Sequence, residues 1–314
     1  MLIYTITLNP ALDYTIQVDH LQLGHTNRTK KENLYAGGKG INVSCILYEL
    51  GLKSCALGFT AGFTGIQLKE MLIQQGIQTD FIHVHKGMTR INVKVKSDTE
   101  SEINGKGPEI ESGDFQKLLN QTSSLNNGDC LILSGSIPSC MPENTYEQII
   151  RTVLDKQINL IIDAEKKLLL NTLKYHPFLI KPNKSELENI FNTTLTNDSQ
   201  IIECAHLLQK QGARNVLVSL DKEGSLLIAE NNEIYRMGIA EGTLVNSVGA
   251  GDSMIAGFLA GWMRTQDYQK ALLLGTACGG ATAFSDGLAT KETIVDLLNQ
   301  LTHHSDLSAG GLIE

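Results

Sequence analysis

The sequence predicts an α/β protein in which a central, mostly parallel β-sheet is covered by helices on both faces and a small second sheet is inserted. Short apolar runs of β type alternate with amphipathic helical stretches along almost the whole chain. Residues 14–18 and 90–96 break this pattern, because apolar and polar residues alternate strictly there. Such alternation is typical of a sheet with one face in water.

The predicted strands of the central sheet are short and apolar, and they lie at residues 2–8, 55–59, 130–134, 159–163, 178–181 and 216–220. Helical spacing is clearest at residues 115–125, 146–156 and 199–211. Because helical crossovers bring the carboxyl ends of parallel strands to one edge, we expect the ligand site at that edge.

We expect residues 1–314 to form a single domain, with the small sheet built from two excursions at about 14–35 and 88–106. The alternative, that these segments are ordinary edge strands of the main sheet, stays open. The apolar face of a separate sheet would have to be covered by the ligand site, by a second subunit or by both. Residues 302–314 lose helical periodicity and are expected to form a poorly ordered tail.

Composition and charge exclude some classes of protein. The chain carries a net charge of −8, and no run of basic residues exceeds a pair, which argues against nucleic-acid binding. An acidic protein that binds anions must therefore concentrate its cations locally. The six cysteines are scattered without a C-x-x-C pair, as expected for free thiols in a reducing cytoplasm. No apolar run approaches membrane-spanning length, so no membrane partner is expected.

The strongest local motif is the run Asn-Ser-Val-Gly-Ala-Gly-Asp-Ser at 246–253, which leads into a helical pattern. Gly249, Ala250 and Gly251 form a turn of small residues whose free backbone N–H groups, at the positive end of a helix dipole, suit phosphate oxygens. Asp252 places a carboxylate beside that anion hole, where the dipole is expected to keep it ionised and therefore weakly basic. The alternative is that Asp252 or Ser253 only caps the helix.

A second glycine-rich run, Ala-Gly-Gly-Lys-Gly-Ile-Asn-Val at 36–43, also precedes an amphipathic helix. Gly38 would let a polyol approach the backbone, while Lys39 and Asn42 offer a cation and an amide. The alternative is a tight loop with a solvated lysine.

Other polar residues follow predicted strands. Asp13 comes shortly after the first strand, where it suits two adjacent sugar hydroxyls or an Asx-turn. Asn183 and Glu186 stand three apart after a buried strand, so they can point toward one ligand or form a capping box. Arg90, with Arg28 and Lys39, would supply the local positive charge, and an isolated arginine there suits a phosphate group.

Taken together, these runs resemble the ribokinase-like carbohydrate kinases of the PfkB family over essentially the whole chain. Gly-Gly-Lys-Gly-Ile-Asn-Val and Val-Gly-Ala-Gly-Asp-Ser are similar to the two signatures of that family, in the right order and separation. Within the family, the runs at 7–13, 89–94, 103–108 and 134–138 are most similar to 1-phosphofructokinases and tagatose-6-phosphate kinases.

The resemblance implies a role for each matching residue. Asp252 would be the catalytic base, with the preceding small residues as the anion hole. Asp13, Gly38 and Asn42 would hold sugar hydroxyls, and Lys39, Arg90 and Arg28 would hold the phosphate already on the substrate. On the nucleotide side the matching residues are Lys181, Asn183, Ser219, Gly224, Ser247, Gly249 and Gly251, with Glu186 near Mg²⁺.

The reaction implied is transfer of the γ-phosphoryl group of ATP to O6 of fructose 1-phosphate, giving fructose 1,6-bisphosphate. The inserted sheet would act as a lid and would join two copies of the chain in a dimer. Two alternatives stay open: phosphorylation of tagatose 6-phosphate, and a sensor of sugar phosphates that keeps the kinase fold without catalysis.

Overall fold

The computed structural model describes residues 1–305 and 309–313. The strands are β1 (Ile3–Thr7), β2 (Ala11–Gln17), β3 (Lys31–Gly37), β4 (Ser54–Ala61), β5 (Gln78–Thr79), β6 (Ile82–Val84), β7 (Arg90–Lys96), β8 (Ser101–Asn104), β9 (Cys130–Ser134), β10 (Asn159–Asp163), β11 (Leu179–Ile180), β12 (Asn215–Ser219), β13 (Ser225–Ile228) and β14 (Ile234–Met237). The helices are α1 (Lys39–Glu49), α2 (Gly62–Gln74), α3 (Ser112–Ser123), α4 (Thr145–Arg151), α5 (Lys166–Thr172), α6 (Lys184–Phe191), α7 (Asp198–Lys210), α8 (Ala250–Thr265), α9 (Tyr268–Ala283) and α10 (Lys291–Ser305).

The central sheet has the strand order β14-β13-β12-β11-β10-β9-β1-β4-β5, and β6 also pairs with β4. All of its neighbours are parallel except at one edge, where β12, β13 and β14 run antiparallel. The predicted mostly parallel sheet is confirmed, and the two antiparallel edge strands are an addition that the sequence pattern did not predict.

Both faces of the central sheet are buried. Successive residues of a strand point to opposite sides, so Leu131 and Leu133 enter one core with α3 to α7. Cys130 and Ile132 enter the other core with α1, α8, α9 and α10. The continuous apolar runs of the sequence therefore reflect a sheet that is covered by helices on both sides.

The second sheet has the order β3-β2-β7-β8. β2 and β3 pair antiparallel, β2 and β7 pair parallel, and β7 and β8 pair antiparallel. The base of its apolar face, including Leu12 and Ile91, packs against Ile41 and Leu68. Farther along the same face, Leu34 is 42% exposed and Ile103 is 66% exposed. Part of the apolar face is thus left uncovered by this chain.

The carboxyl-terminal segment differs from the expectation of a disordered tail. Helix α10 continues to Ser305, and Leu312 is fully buried in the core that contains α8 and α9. That expectation is wrong for residues 302–305, which continue the helix, and for residues 309–313, where the buried Leu312 anchors a segment without helical periodicity. Residues 306–308 and 314 lie outside the described residues. No helix within the described part of the chain combines the length and apolar character needed to cross a membrane.

Candidate active site

The carboxyl ends of β1, β9 and β10 face the first turns of two helices, α1 and α8. Asp252 lies in the first turn of α8 and is 5% exposed. The Nδ2 of Asn42, in α1, donates a hydrogen bond of 2.8 Å to Oδ2 of Asp252. The two glycine-rich runs, 210 residues apart at these atoms, therefore meet at one carboxylate.

The pKa of the Asp252 carboxyl is raised to about 7. Burial is the main cause, and the nearby negative charge of Asp163 acts in the same direction, while Lys39, Asn42 and Lys181 oppose the rise. Burial therefore works against the ionised form of Asp252 that the helix dipole favours. A carboxylate with a pKa near neutral is a better proton acceptor than an ordinary aspartate.

Asp163, at the end of β10, was missed by the sequence analysis as a site residue. Its side chain is 3% exposed, with Lys39 Nζ at 3.0 Å and Lys181 Nζ at 3.6 Å. Burial opposes the negative charge of Asp163, but the two ammonium groups outweigh it and lower its pKa. Burial likewise opposes the charge of Lys39, and the surrounding carboxylates, Asp163 first, raise the pKa of that lysine. Two cations are thus held side by side next to Asp252.

The start of α8 has the geometry of an anion site. Gly249 caps the helix with a φ of 83°, a left-handed conformation that favours glycine. Among the described residues, no carbonyl accepts from the amides of Gly251 and Asp252. A Cβ on Gly251 would lie 2.9 Å from Lys181 Nζ. The absence of a side chain therefore lets the lysine ammonium approach the exposed amides of the helix.

Asp13 lies within β2 of the second sheet, and its predicted position at the carboxyl end of a central strand is wrong. The chain leaves β1 at Thr7, turns, and restarts as β2 at Ala11. Asn92 donates to Asp13 Oδ1 at 2.9 Å, and Lys94 Nζ lies 3.3 Å from Oδ2. These contacts replace the Asx-turn alternative, and both partners on β7 were missed by sequence reasoning.

Two cavities meet this region. The first, of about 690 Å³, lies between the second sheet and α1 and includes Asp13, Asn42 and Lys94 in its wall. The second, of about 720 Å³, opens over the ends of β1, β9 and β10 and is lined by Lys39 and Arg90, among others.

Two further residues were predicted to bind the substrate, Arg28 its phosphate and Gly38 its hydroxyl groups, and they lie in different parts of the structure. Arg28 is exposed on the loop between β2 and β3 and lines neither cavity, so this chain does not bring it to the site. Gly38, at the start of α1, has a φ of 131°, and a Cβ there would lie 2.6 Å from Thr7 Cγ2. Packing of α1 against β1 is therefore a sufficient reason for this glycine.

On the predicted nucleotide side, Asn183 and Glu186 form the capping box that the sequence left open as an alternative. Glu186 N donates to Asn183 Oδ1 at 2.7 Å, and Asn183 N donates to Glu186 Oε2 at 2.8 Å. Asn183 forms an isolated parallel bridge with Ser219, while Gly224 closes a tight turn with a φ of 93°. Ser247 is exposed, and its carbonyl accepts from Ala250 N at 3.3 Å.

Comparison with known proteins agrees with this geometry. The profile of the pfkB family carbohydrate kinases matches residues 6–294. A 1-phosphofructokinase of Bacillus subtilis (strain 168) is 43% identical over 300 residues, covering 96% of this chain and 98% of that protein. A D-tagatose-1-phosphate kinase of Bacillus licheniformis is 36% identical over 301 residues, with coverage of 96% and 98%.

Among solved structures, phosphofructokinase-2 from Escherichia coli in complex with substrates and products superposes with a TM-score of 0.91. The two chains are 24% identical, and the match covers 96% of this chain and 100% of the other. At that identity the likeness concerns the fold alone, and it confirms the ribokinase-like fold predicted from the sequence.

Proposed function

The chain belongs to the pfkB family of carbohydrate kinases, and we propose that it is a 1-phosphofructokinase, which transfers the γ-phosphoryl group of ATP to O6 of fructose 1-phosphate. The observation that carries this proposal is Asp252: a buried carboxylate with a pKa raised to about 7, held by Asn42 beside the free amides of a helix start. The match to 1-phosphofructokinase of B. subtilis along nearly the whole of both chains supports the choice of substrate.

In the proposed reaction, Asp252 orients the O6 hydroxyl of the sugar and accepts its proton as O6 forms a bond to the γ-phosphorus. The bond between that phosphorus and the bridging oxygen of ADP breaks, and ADP leaves with the electron pair. Catalysis of phosphoryl transfer depends mostly on position and on stabilisation of charge. The amides of Gly251 and Asp252, with Lys39 and Lys181, supply positive charge where negative charge develops.

The sugar phosphate would bind with its phosphate in the cavity that contains Lys39 and Arg90 and its sugar toward the cavity that contains Asp13. Arg90 is half-buried in the cavity that also contains Lys39, which suits the phosphate group of the substrate. Asp13, fixed by Asn92 and Lys94, presents hydrogen-bonding groups to the sugar from the second sheet. The second sheet would close over the substrate and exclude water, which would suppress hydrolysis of ATP.

ATP would lie along α8, near Ser219, Gly224 and Ser247. No group of three or more His, Cys, Asp or Glu side chains among the described residues is arranged to hold a metal. This fits Mg²⁺, which is usually bound by nucleotide phosphates with only one or two carboxylates. Glu186, near Lys39, is the side chain that would hold the ion, and bound Mg²⁺ would neutralise charge on the phosphates.

The test is a coupled assay of ADP release with fructose 1-phosphate, fructose 6-phosphate, tagatose 6-phosphate and tagatose 1-phosphate. We expect the highest kcat/KM with fructose 1-phosphate. If the protein binds one of these sugar phosphates but releases ADP with none of them, the protein is a sensor and the proposal of an enzyme fails.

Tagatose 1-phosphate is the second candidate substrate, because a relative 36% identical to this chain is named D-tagatose-1-phosphate kinase. That sugar carries its phosphate at the same position as fructose 1-phosphate and differs in the configuration at C4. Tagatose 6-phosphate, the alternative raised by the sequence, carries its phosphate at the other end. A preference for either tagatose phosphate over fructose 1-phosphate in the same assay would overturn the choice of substrate.

We also propose that the second sheet joins two copies of the chain in a homodimer. The support is the uncovered part of its apolar face, which includes Leu34 and Ile103. Ile103→Lys is expected to give a monomer in light scattering, whereas Leu154→Lys, at an exposed leucine after α4, is the control that should leave the mass unchanged.

The use of ATP and six free cysteines support the cytoplasm as the place of action.

A further inference from the structure

The guanidinium group of Arg90 is held in place by a neighbouring backbone carbonyl. Its Nε donates a hydrogen bond of 3.0 Å to the backbone carbonyl of Asn9. Among the described residues, no acceptor lies within hydrogen-bond distance of its two terminal nitrogens. Burial lowers the pKa of Arg90 and outweighs the opposing effect of the negative charge of Asp13, so this cation would gain from a further anionic partner. One edge of the guanidinium is thus anchored, and the other is left for a ligand.

Asn9 is 9% exposed and lies between the end of β1 and the start of β2. Its Nδ2 donates to the carbonyl of Lys106 at 3.0 Å. Its Oδ1 is buried and has no hydrogen-bond partner. The residue therefore touches two segments at once: Arg90, where β7 begins, and the loop 105–108, which leaves β8.

The loop 105–108 is shaped to make this contact. Gly107 has a φ of 90°, and a Cβ there would lie 2.2 Å from Asn9 Oδ1. A Cβ on Gly105 would lie 2.9 Å from Cβ of Arg90. Only a backbone without side chains at these two positions can press against Asn9 and Arg90 together.

We propose that Asn9 is a positioning residue, which aims Arg90 at the phosphate of the substrate and ties this arginine to the loop leaving the second sheet. Its side chain fixes the backbone of residue 9, and the carbonyl of that residue fixes Nε of Arg90. Because Asn9 contacts the chain where β2 begins, where β7 begins and beyond the end of β8, a displacement of the second sheet also displaces the guanidinium. Recognition of the phosphate is thereby coupled to the position of this sheet. The inference rests on the proposed function, which assigns the phosphate to Arg90.

The test is a double-mutant cycle between Asn9→Ala and Arg90→Ala, with binding of fructose 1-phosphate measured by calorimetry and KM measured for both substrates. A positioning residue acts only through its partner, so the two effects should not add. We expect Asn9→Ala to weaken binding of the sugar phosphate about tenfold when Arg90 is present and less than about twofold when it is absent. The KM for ATP should stay unchanged.

Asn215→Ala is the matched control. Asn215 is also a buried amide, and its Nδ2 donates to the carbonyl of Phe178 at 2.8 Å, away from both cavities. This variant should lower the melting temperature without changing affinity for the sugar phosphate. If Asn9→Ala does not fold, Gly107→Ala perturbs the same contact from the loop and should reproduce the loss of affinity.

The inference would be overturned if Asn9→Ala lowered affinity for the sugar phosphate equally with and without Arg90, or lowered it in neither case. Normal affinity of Arg90→Ala for the sugar phosphate would also overturn it. Failure of the proposed function looks different: the unaltered protein then shows no turnover with fructose 1-phosphate. In that case the cycle is measured with whichever sugar phosphate accepts the phosphoryl group.

Discussion

Replacement of Asp252 by asparagine should strongly lower kcat and at the same time stabilise the fold at alkaline pH. The amide keeps the size of the side chain and an oxygen that accepts the hydrogen bond from Asn42, but it carries no charge. The chain would therefore lose the general base without losing the local packing. Removal of a general base typically lowers kcat by about 10²- to 10⁴-fold.

The effect on stability follows from the raised pKa. The carboxyl group ionises near 3.8 in an unfolded chain and near 7 in the folded one. Between these pH values the folded protein holds a proton that the unfolded chain has released, so the contribution of this group to stability falls as pH rises. At 1.36 kcal/mol per pKa unit, the full difference corresponds to about 4 kcal/mol. About 2 kcal/mol of it should appear between pH 5.5 and pH 8.5.

The assay is urea unfolding of the wild type and Asp252→Asn at these two pH values, with kcat measured on the same preparations. Asp296→Asn, at an exposed aspartate of α10, is the control and should track the wild type. The free energy of unfolding of Asp252→Asn minus that of the wild type should be about 2 kcal/mol larger at pH 8.5 than at pH 5.5. A stability difference that does not depend on pH would refute the raised pKa, and near-normal turnover would refute the catalytic role.

Three further predictions concern the same site. The kcat/KM for the sugar phosphate should rise about tenfold per pH unit below neutrality and level off near pH 7; a profile flat from pH 5 to 8 would contradict a buried base with a raised pKa. Asp163→Ala leaves Lys39 and Lys181 without their shared carboxylate, and a loss of about 3 kcal/mol in urea unfolding is expected; a loss below about 1 kcal/mol would show that the pairing is unimportant. Gly251→Ala, whose Cβ would crowd Lys181, should lower kcat/KM for ATP at least about tenfold while stability changes by less than about 1 kcal/mol. Gly113→Ala, in α3 with open space around it, is its control, and equal kinetics in both variants would exclude crowding of the anion site.

Much of the central sheet could be predicted from local pattern. The strands at 130–134 and 159–163 have the predicted bounds, because each is built around an apolar run, 130–133 or 160–162, that is buried on both faces. The strands β3 and β8 were not predicted individually. Most of their residues are exposed, and neither strand shows the apolar alternation seen in β7, so pairing with β2 and β7 defines these strands.

The candidate site was only partly predictable for a related reason. Asp252 and Asn42 each belong to a local glycine-rich run, which made both visible in the sequence. The ion pair between Lys39 and Asp163 joins residues 124 positions apart, and no local spacing reports such a contact. Asp163 ends an apolar strand at the ligand-facing edge, and this position is the one signal that could have identified it.

The parallel pairing of β2 with β7 has a consequence for the order of folding. Asp13 lies opposite Asn92, and the chain between them contains β4, a strand of the central sheet, and α2, which packs against β4. Closing so long a loop costs entropy, and contacts of this kind form slowly unless the intervening segment is already placed. The second sheet should therefore assemble after β1 and β4 have paired, and its amides should exchange hydrogen faster than those of the central strands. During synthesis, β2 would then emerge early but pair with β7 only after the intervening segment has emerged and β4 has paired with β1.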